Sequence, residues 1–177
     1  LYIGEDVLRT VKYADPQNPN SHQLPAKRKL HQQSPNISGT VLWYAKAVVD
    51  NPGNYGTLLR TDYWRYPALQ PLMPFIDDKV PSKPKKVKAK WEPDGYYLTW
   101  KAPKAKHWDD EAHRYVVYKF EKGEDIDTDN PAKIIGIPYD NRLKLDYKDG
   151  ETKYVFVVTA LDRMSNESTG KKKKAKL

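Results

Sequence analysis

The sequence predicts two dissimilar parts, a short α/β segment followed by an all-β sandwich of two antiparallel sheets. Near Lys79, mixed helix and loop sequence gives way to short alternating strands behind a Pro/Lys-rich linker. The clearest strand covers 153–161, where every second residue from Tyr154 to Ala160 is apolar or small. The predicted division is an α/β part at 1–78, a linker at 79–86, the sandwich at 87–170 and a disordered lysine-rich tail at 171–177.

In the first part, two apolar runs are each followed by a helical segment. Continuous apolar runs are typical of parallel strands that are buried on both faces, and the order strand, helix, strand, helix favours a parallel α/β fold. A Pro/Asn-rich loop follows the first strand and precedes the first helix. The predicted elements are a strand at 1–4, a helix from about 21–25 to Gln33, a strand at 37–44 and a helix through 58–63 that ends before Pro67.

The second part contains seven short candidate strands separated by turns rich in Pro, Gly and Asp. The turn at 93–95 has a physical basis, because Pro93 presets its φ angle and Gly95 permits a positive one. Seven such strands within about 100 residues predict a two-sheet sandwich. An insertion at 104–113 lengthens the loop between the second and third strands. The predicted strands are 87–91, 96–100, 115–120, 133–137, 143–147, 153–161 and 166–169.

Composition excludes several classes of protein. The 177 residues contain no cysteine, which excludes disulfides and thiolate metal sites. No apolar run approaches the roughly 18 residues of a membrane span. The formal net charge is +8, but five of the lysines lie in the tail without interleaved aromatic residues, so no nucleic-acid partner is predicted. Binding of a polyanion by the tail remains an alternative.

The first 78 residues resemble the end of the catalytic domain in a family of bacterial proteins, the glycosyl-hydrolase-like family 10, whose members have a TIM-barrel core. The matching residues are Tyr2-Ile3-Gly4-x-Asp6, Arg9, Gly39-x-x-x-Trp43, Asn51-Pro52-Gly53, Tyr63-Trp64 and Pro67-Ala68-Leu69-x-Pro71. The resemblance implies that the two strands are the seventh and eighth of a barrel whose first six lie upstream. A complete barrel needs about 250 residues.

Residues 84–170 resemble a fibronectin type III domain. The matching residues are Pro81, Pro84, Leu98-x-Trp100, Tyr115-x-Val117-Tyr118 and the strand from Tyr154 to Ala160 that closes in Leu161-Asp162-Arg163-x-x-Asn166-Glu167-Ser168. The two resemblances together imply the C-terminal region of a secreted, periplasmic or cell-surface glycoside hydrolase. The chain begins Leu1-Tyr2-Ile3-Gly4, without an initiator Met or signal segment, and is interpreted as a piece of a longer protein.

Glu5 and Asp6 are the carboxylates that the resemblance places at the carboxyl end of a barrel strand, where barrel enzymes carry their functional groups. Glycosidases generally need two carboxylates flanking the scissile bond. Neighbours in an extended strand point in opposite directions, so Glu5 and Asp6 are not expected to share one substrate. We expect the principal acid and base upstream, an inactive fragment, and polysaccharide or oligosaccharide bound only by the intact parent.

Four further residues complete the candidate substrate-binding set, and each has an alternative role. Arg9 either pairs with Glu5 or contacts substrate. Trp43 and Tyr44 either stack on sugar rings, fill the barrel mouth or pack under the last helix. Trp108 lies in a polar loop, where it either contacts a partner or packs against the neighbouring domain. Trp100 and Tyr154, by contrast, alternate with core positions and are predicted to be buried.

No cofactor or metal is predicted. The dense group of possible ligands at 107–113 lacks the helical i, i+4 histidine pair of recognisable zinc sites, and its default interpretation is a solvated loop. The open edge of a barrel fragment is expected to meet the missing strands or a second copy of itself. The alternative to the hydrolase hypothesis is that the chain is a stand-alone module that binds carbohydrate or protein and has no connection to hydrolysis.

Overall fold

A computed structural model describes residues 1–15, 17–18, 21–105 and 107–177. Pro16, Pro19 and Asn20 of the Pro/Asn-rich loop, and Lys106 of the 104–113 insertion, lie outside the described residues. The chain forms two compact units, Leu1–Arg65 and Tyr66–Leu177. The division therefore falls earlier than the predicted boundary at 78, because the segment after residue 65 packs on the second unit.

The first unit contains the predicted strand, helix, strand, helix order together with additional short helices. Its two strands are parallel and pair from Tyr2 opposite Gly39 to Asp6 opposite Trp43. In the described residues the elements are β1 Tyr2–Asp6, α1 Val7–Val11, α2 Leu24–Gln33, β2 Gly39–Trp43, α3 Ala45–Val49, a 3-10 turn at Pro52–Asn54, α4 Tyr55–Leu58 and a π-helical turn at Leu59–Tyr63.

The sheet of the first unit is covered on one face only. Helical residues Val7, Leu24, Ala47, Tyr55 and Leu59 form a buried cluster against which Leu42 of β2 packs. The residues that alternate with this covered face, among them Tyr2, Val41 and Trp43, are exposed. Parallel strands are normally buried on both faces. Among the described residues, however, no element covers the second face of this sheet, and we call it the bare face.

The second unit is a sandwich of two antiparallel sheets. Their strand orders are β3-β4-β7 and β6-β5-β8-β9. The strands are β3 Lys85–Glu92, β4 Gly95–Lys101, β5 Arg114–Glu121, β6 Ile134–Gly136, β7 Arg142–Lys144, β8 Lys153–Leu161 and β9 Lys171–Lys176, with a 3-10 turn at Pro131–Lys133. Residues from both sheets, including Leu98, Trp100, Tyr115, Phe156 and Val158, form the core between them. The predicted sandwich is confirmed.

A second apolar cluster lies on the outer face of the four-stranded sheet. It contains Val116, Tyr118, Phe120 and Val157, with Leu69 packed against it. The side-chain amide of Asn166 also donates to the carbonyl of Asp77, at 3.3 Å. The stretch ahead of β3 is therefore held against the sandwich, and Pro81 and Pro84 within it are buried. This packing explains why the unit begins at Tyr66.

The C-terminal residues correct the prediction of a disordered tail. Residues 171–176 form β9, which pairs with β8 from Lys171 opposite Val158 to Lys176 opposite Lys153. Leu177 is buried in the core, and its amide donates to the carbonyl of Thr152. The predicted last strand at 166–169 is replaced by a single bridge between Leu161 and Glu167. Short-range polarity suggested disorder, whereas long-range pairing with β8 orders the lysines.

Candidate functional site

The carboxyl ends of β1 and β2 meet at one edge of the parallel sheet. Asp6 lies opposite Trp43 in the strand register, so this edge brings together Glu5, Asp6, Trp43 and Tyr44 of the predicted set. Parallel strands necessarily place their carboxyl ends on the same side. We call the edge formed by Glu5, Asp6, Trp43 and Tyr44 the aromatic edge.

The described helices of the chain lack the length and apolarity to cross a bilayer.

Glu5 lies on the helix-covered side and is 3% exposed. One carboxylate oxygen accepts hydrogen bonds from the Tyr55 hydroxyl at 2.8 Å and the Thr10 hydroxyl at 3.2 Å, and the other accepts from the Arg28 guanidinium. Burial, followed by the hydrogen bond to Glu5, raises the pKa of Tyr55. Since these partners come from α1, α2 and α4, Glu5 anchors three helices to the end of β1.

Asp6 points the other way and caps α1. Its carboxylate accepts a hydrogen bond from the backbone amide of Arg9 at 3.0 Å, the usual role of an N-cap residue. The Arg9 guanidinium lies 3.6 Å from the same carboxylate, so Arg9 pairs with Asp6 and not with Glu5. Both side chains remain accessible to solvent. Adjacent carboxylates thus occupy opposite faces of one strand, as strand geometry requires.

Trp43 and Tyr44 present aromatic surface at the end of β2. Trp43 is 69% exposed, and its ring centroid lies 6.4 Å from that of Tyr44 with planes inclined at 62°. The peptide bond between them is cis. At this exposure the Trp43 ring does not pack beneath a helix of the first unit, whereas sugar stacking and filling of the barrel mouth both place the ring on the bare side of the sheet. The ring is available to a ligand on the bare side of the sheet.

A separate small cavity of about 230 Å³ opens near the amino end of β2. The Arg28 guanidinium carbon lies 5.9 Å from the centre of the Trp64 ring, and Arg28 also donates to the Thr40 hydroxyl at 2.8 Å. Ser38 and Gly39 line the cavity as well. Because Ser38 precedes β2 and Gly39 begins it, the cavity lies at the opposite end of the strand from the aromatic edge.

Trp108 lies in the loop between β4 and β5 and is 80% exposed. The described residues of this loop form no group of three or more His, Asp or Glu side chains able to hold a metal ion. His113 instead packs edge-on against Tyr139, with ring centroids 5.5 Å apart. Trp100 is 5% exposed and packs against Tyr115, which confirms its predicted core position.

Trp91, Tyr96 and Tyr147 form an aromatic cluster that was not predicted from the sequence. The ring of Trp91 lies 4.8 Å from Tyr147 and 5.3 Å from Tyr96. Trp91 is nevertheless 62% exposed, because it stands near the end of β3 beyond the inter-sheet core. In the sequence Trp91 alternates with Val87 and Ala89, a pattern that favours a position in the core. Its position next to the turn at 93–95 was the available signal.

The chain is similar in sequence to a curated glycosyl hydrolase. No family model matches the chain. It is 27% identical over 179 residues to the glycosyl hydrolase YngK of Bacillus subtilis (strain 168), in an alignment that covers 99% of this chain and 34% of that protein. The chain therefore spans about a third of the length of this curated relative. Similarity to a glycosyl hydrolase extends over nearly the whole chain.

Solved structures resemble part of this chain. A Fn3-like protein from Clostridium thermocellum is 21% identical, with 54% of this chain and 92% of that chain covered at a TM-score of 0.40. The spore cortex lytic enzyme SleM of Clostridium perfringens is 17% identical, with 55% and 28% covered at a TM-score of 0.39. The assignment of the second unit as a β-sandwich rests on its own strand pairing and core.

Proposed function

We propose that this chain is the C-terminal region of a bacterial glycoside hydrolase that acts on polysaccharide. Residues 1–65 correspond in this proposal to the last two βα units of a TIM barrel, and residues 66–177 to a fibronectin type III-like accessory module. The observation that carries the proposal is the one-sided parallel sheet of the first unit. The similarity to YngK along 99% of the chain supplies the class of chemistry.

A parallel pair with one bare face has the form of a barrel wall. In a TIM barrel, helices cover the outside of each strand, while the inward side chains pack against those of other strands. The exposed set of Tyr2, Val41 and Trp43 alternates with the covered set and would face this interior. The proposed partner of the bare face is accordingly the rest of the barrel, and self-association is the alternative.

The aromatic edge divides the proposed roles among its residues. Trp43 and Tyr44 offer ring surface for stacking on sugar, and Asp6 and the neighbouring Arg9 offer polar groups to hydroxyls. Glu5 keeps the end of β1 in place through its contacts with Arg28 and Tyr55. Because Glu5 and Asp6 point to opposite faces, they cannot flank one glycosidic bond, so the acid and base come from elsewhere in the barrel.

The proposal is tested by measuring hydrolysis of a panel of bacterial and plant polysaccharides. This chain and the full-length product of its gene are assayed in parallel. We expect activity in the full-length protein alone, because the acid and base lie outside this chain. Hydrolysis by the chain itself would contradict the assignment, and inactivity of both proteins would favour a binding module.

Substitution at the aromatic edge sharpens the test in the full-length protein. Trp43→Ala is expected to lower kcat/KM about tenfold, since loss of an aromatic anchor costs more than ~1 kcal/mol. Tyr13→Ala is the matched control, because Tyr13 is an exposed aromatic residue beyond the far end of α1. Equal activities of the two variants would remove Trp43 from the proposed site.

A second candidate function, carbohydrate binding by the sandwich alone, is favoured by Trp91. Its ring is held by Tyr96 and Tyr147 and still exposes most of its surface. Saturable binding of a glycan by this chain that is lost in Trp91→Ala and retained in Trp108→Ala would support this function. A module that only supports the barrel predicts no saturable glycan binding in any of these variants.

A further inference from the structure

The second unit contains a cavity of about 610 Å³ whose walls are rich in lysine. It lies where β8 begins and β9 ends. Tyr154, Val155 and Ala175 supply apolar lining. Four of its eight lining residues are lysines, namely Lys122, Lys153, Lys174 and Lys176. We call this feature the lysine groove.

The sheet holds the backbone of this groove in position. Lys176 lies opposite Lys153, and Lys174 lies opposite Val155, in the antiparallel ladder between β8 and β9. Cross-strand partners share a face, and residues two apart on a strand are separated by about 6.8 Å. Lys172, Lys174 and Lys176 therefore form a row with regular spacing on the outward face of an edge strand.

The lysines of the groove lack local counter-charges. No carboxylate lines the cavity, and within the described residues none of its four lysines is ion-paired. Glu121 and Glu151 line an adjacent, shallower depression, which shares only Lys122 and Lys153. Lys174 and Lys176 remain uncompensated, so an anion placed here relieves repulsion between like charges.

The lysine groove also contains apolar surface, which a simple basic patch lacks. Val155 lies opposite Lys174 in the ladder, so its side chain is on the same face as the lysines and supplies apolar surface between them. Apolar surface next to cations fits a ligand that carries both C–H faces and negative groups. A carbohydrate ring bearing a carboxylate has this combination, and the row of lysines along β9 suits a chain of such rings.

We propose that the lysine groove binds a carboxylated polysaccharide, with uronate groups on the lysines and sugar rings against Val155. This inference rests on the proposed function, which supplies polysaccharide as the substrate class. A neutral glycan would leave Lys174 and Lys176 uncompensated. The inference adds a second contact for the polymer, within the β-sandwich unit.

The test is affinity electrophoresis of this chain in gels that contain polygalacturonate or the same polymer with its carboxylates methyl-esterified. We expect retardation by the charged polymer alone, with steep weakening as salt rises. In Lys174→Gln/Lys176→Gln, affinity is expected to fall about fivefold for each lysine removed. Thermal unfolding curves establish that the variants remain folded.

The matched control removes the same charge elsewhere. Lys101→Gln/Lys104→Gln alters two exposed lysines at or beyond the end of β4, neither of which lines the groove. An equal loss of affinity in this control would reduce the effect to the net charge of +8 and overturn the proposal. Equally tight binding of a DNA duplex would also overturn it, as would failure of the wild-type chain to be retarded.

The outcome is separable from that of the hydrolase proposal. Hydrolysis by the full-length protein together with no retardation of this chain would overturn the lysine groove alone. Retardation that depends on Lys174 and Lys176, with no hydrolysis by the full-length protein, would overturn the hydrolase and keep the groove as a binding site.

Discussion

At the scale of residues, Glu5 and Asp6 show how one strand separates two similar side chains. Asp6 caps the following helix in solvent, while Glu5 is surrounded by Arg28, Tyr55 and Thr10. Sequence analysis could predict that the two carboxylates diverge, because strand alternation is local. It could not predict the partners of Glu5, since Arg28 and Tyr55 lie 23 and 50 residues further along the chain.

Replacing Glu5 tests its anchoring role. Glu5→Gln should destabilise the first unit by about 3–5 kcal/mol, because it leaves the Arg28 guanidinium buried without a counter-charge. The free energy of unfolding in urea measures the effect. Asp6→Asn is the control and should be nearly neutral, since asparagine caps helices about as well as aspartate. A neutral Glu5→Gln would show that the carboxylate does not support the fold.

Tyr118 should make the stability of the second unit depend on pH in the alkaline range. Burial, and then the hydrogen bond of 2.8 Å from its hydroxyl to Glu167, raises the pKa of Tyr118 above its ordinary value near 10. The unfolded state therefore loses this proton first as pH rises. The stabilisation is complete below pH 10 and declines as pH rises from there toward the raised pKa.

The measurement compares the urea midpoint of wild type and Tyr118→Phe between pH 7 and pH 11. The variant should be about 1 kcal/mol less stable at pH 7, because it loses the hydrogen bond to Glu167. Its stability should decline less above pH 10, because phenylalanine has no proton to lose. Parallel curves for the two proteins would contradict a contribution from Tyr118.

At the scale of elements, β8 and β9 show which strands a sequence reveals. β8 was predicted with its bounds, because apolar and small residues recur at every second position from Tyr154. β9 was missed, because its first four residues are all lysine and its inward face offers little apolar pattern, namely Ala175 and then Leu177 just after the strand. Lysines suit an edge strand, where they oppose pairing with other chains. The run of lysines in β9 is therefore typical of an edge strand that is protected against pairing with other chains.

Removal of residues 171–177 tests whether β9 belongs to the fold. The truncated chain should lose several kcal/mol of stability, because the edge of β8 becomes unpaired and the core loses Leu177. It should also associate through the uncovered edge, which sedimentation velocity would detect. Lys172→Gln/Lys174→Gln keeps the ladder and serves as control. Unchanged stability after truncation would restore the prediction of a disordered tail.

The stretch ahead of β3 was only partly predictable, because its packing depends on residues that are distant in the sequence. Proline and charge suggested a linker at 79–86, and strand β3 in fact begins at Lys85. Leu69 packs on the outer apolar cluster, whose members begin only at Val116, and Asp77 contacts Asn166, which lies 89 positions away. The aromatic edge was predictable from the ends of two strands, whereas the cluster around Trp91 needed three separate segments.

At the scale of the whole molecule, the two units differ in how fully they are packed. The first has one small buried cluster and a bare sheet face, and the second has two apolar clusters on either side of its larger sheet. We expect two unfolding transitions, with the first unit opening at lower denaturant. Hydrogen exchange should be fast in β1 and β2 and slowest in β5 and β8.

The measurement is hydrogen–deuterium exchange with peptide-level readout, across increasing urea. Protection lost at one common midpoint in both units would contradict independent opening. Addition of the upstream barrel should slow exchange in β1 and β2 if the proposed barrel is correct, since the bare face then becomes buried. Exchange in β5 and β8 should not change, because their neighbours are already complete.

The placement of the five tryptophans has an optical consequence. Trp100 alone lies within the inter-sheet core, while Trp43, Trp64, Trp91 and Trp108 face solvent. Emission from the native chain should consequently peak near the wavelength of hydrated indole, and a small blue-shifted component should report on the sandwich through Trp100. Quenching by iodide would act on the exposed indoles first. A sugar stacked on Trp43 or Trp91 would shield that ring and reveal its own docking without any label.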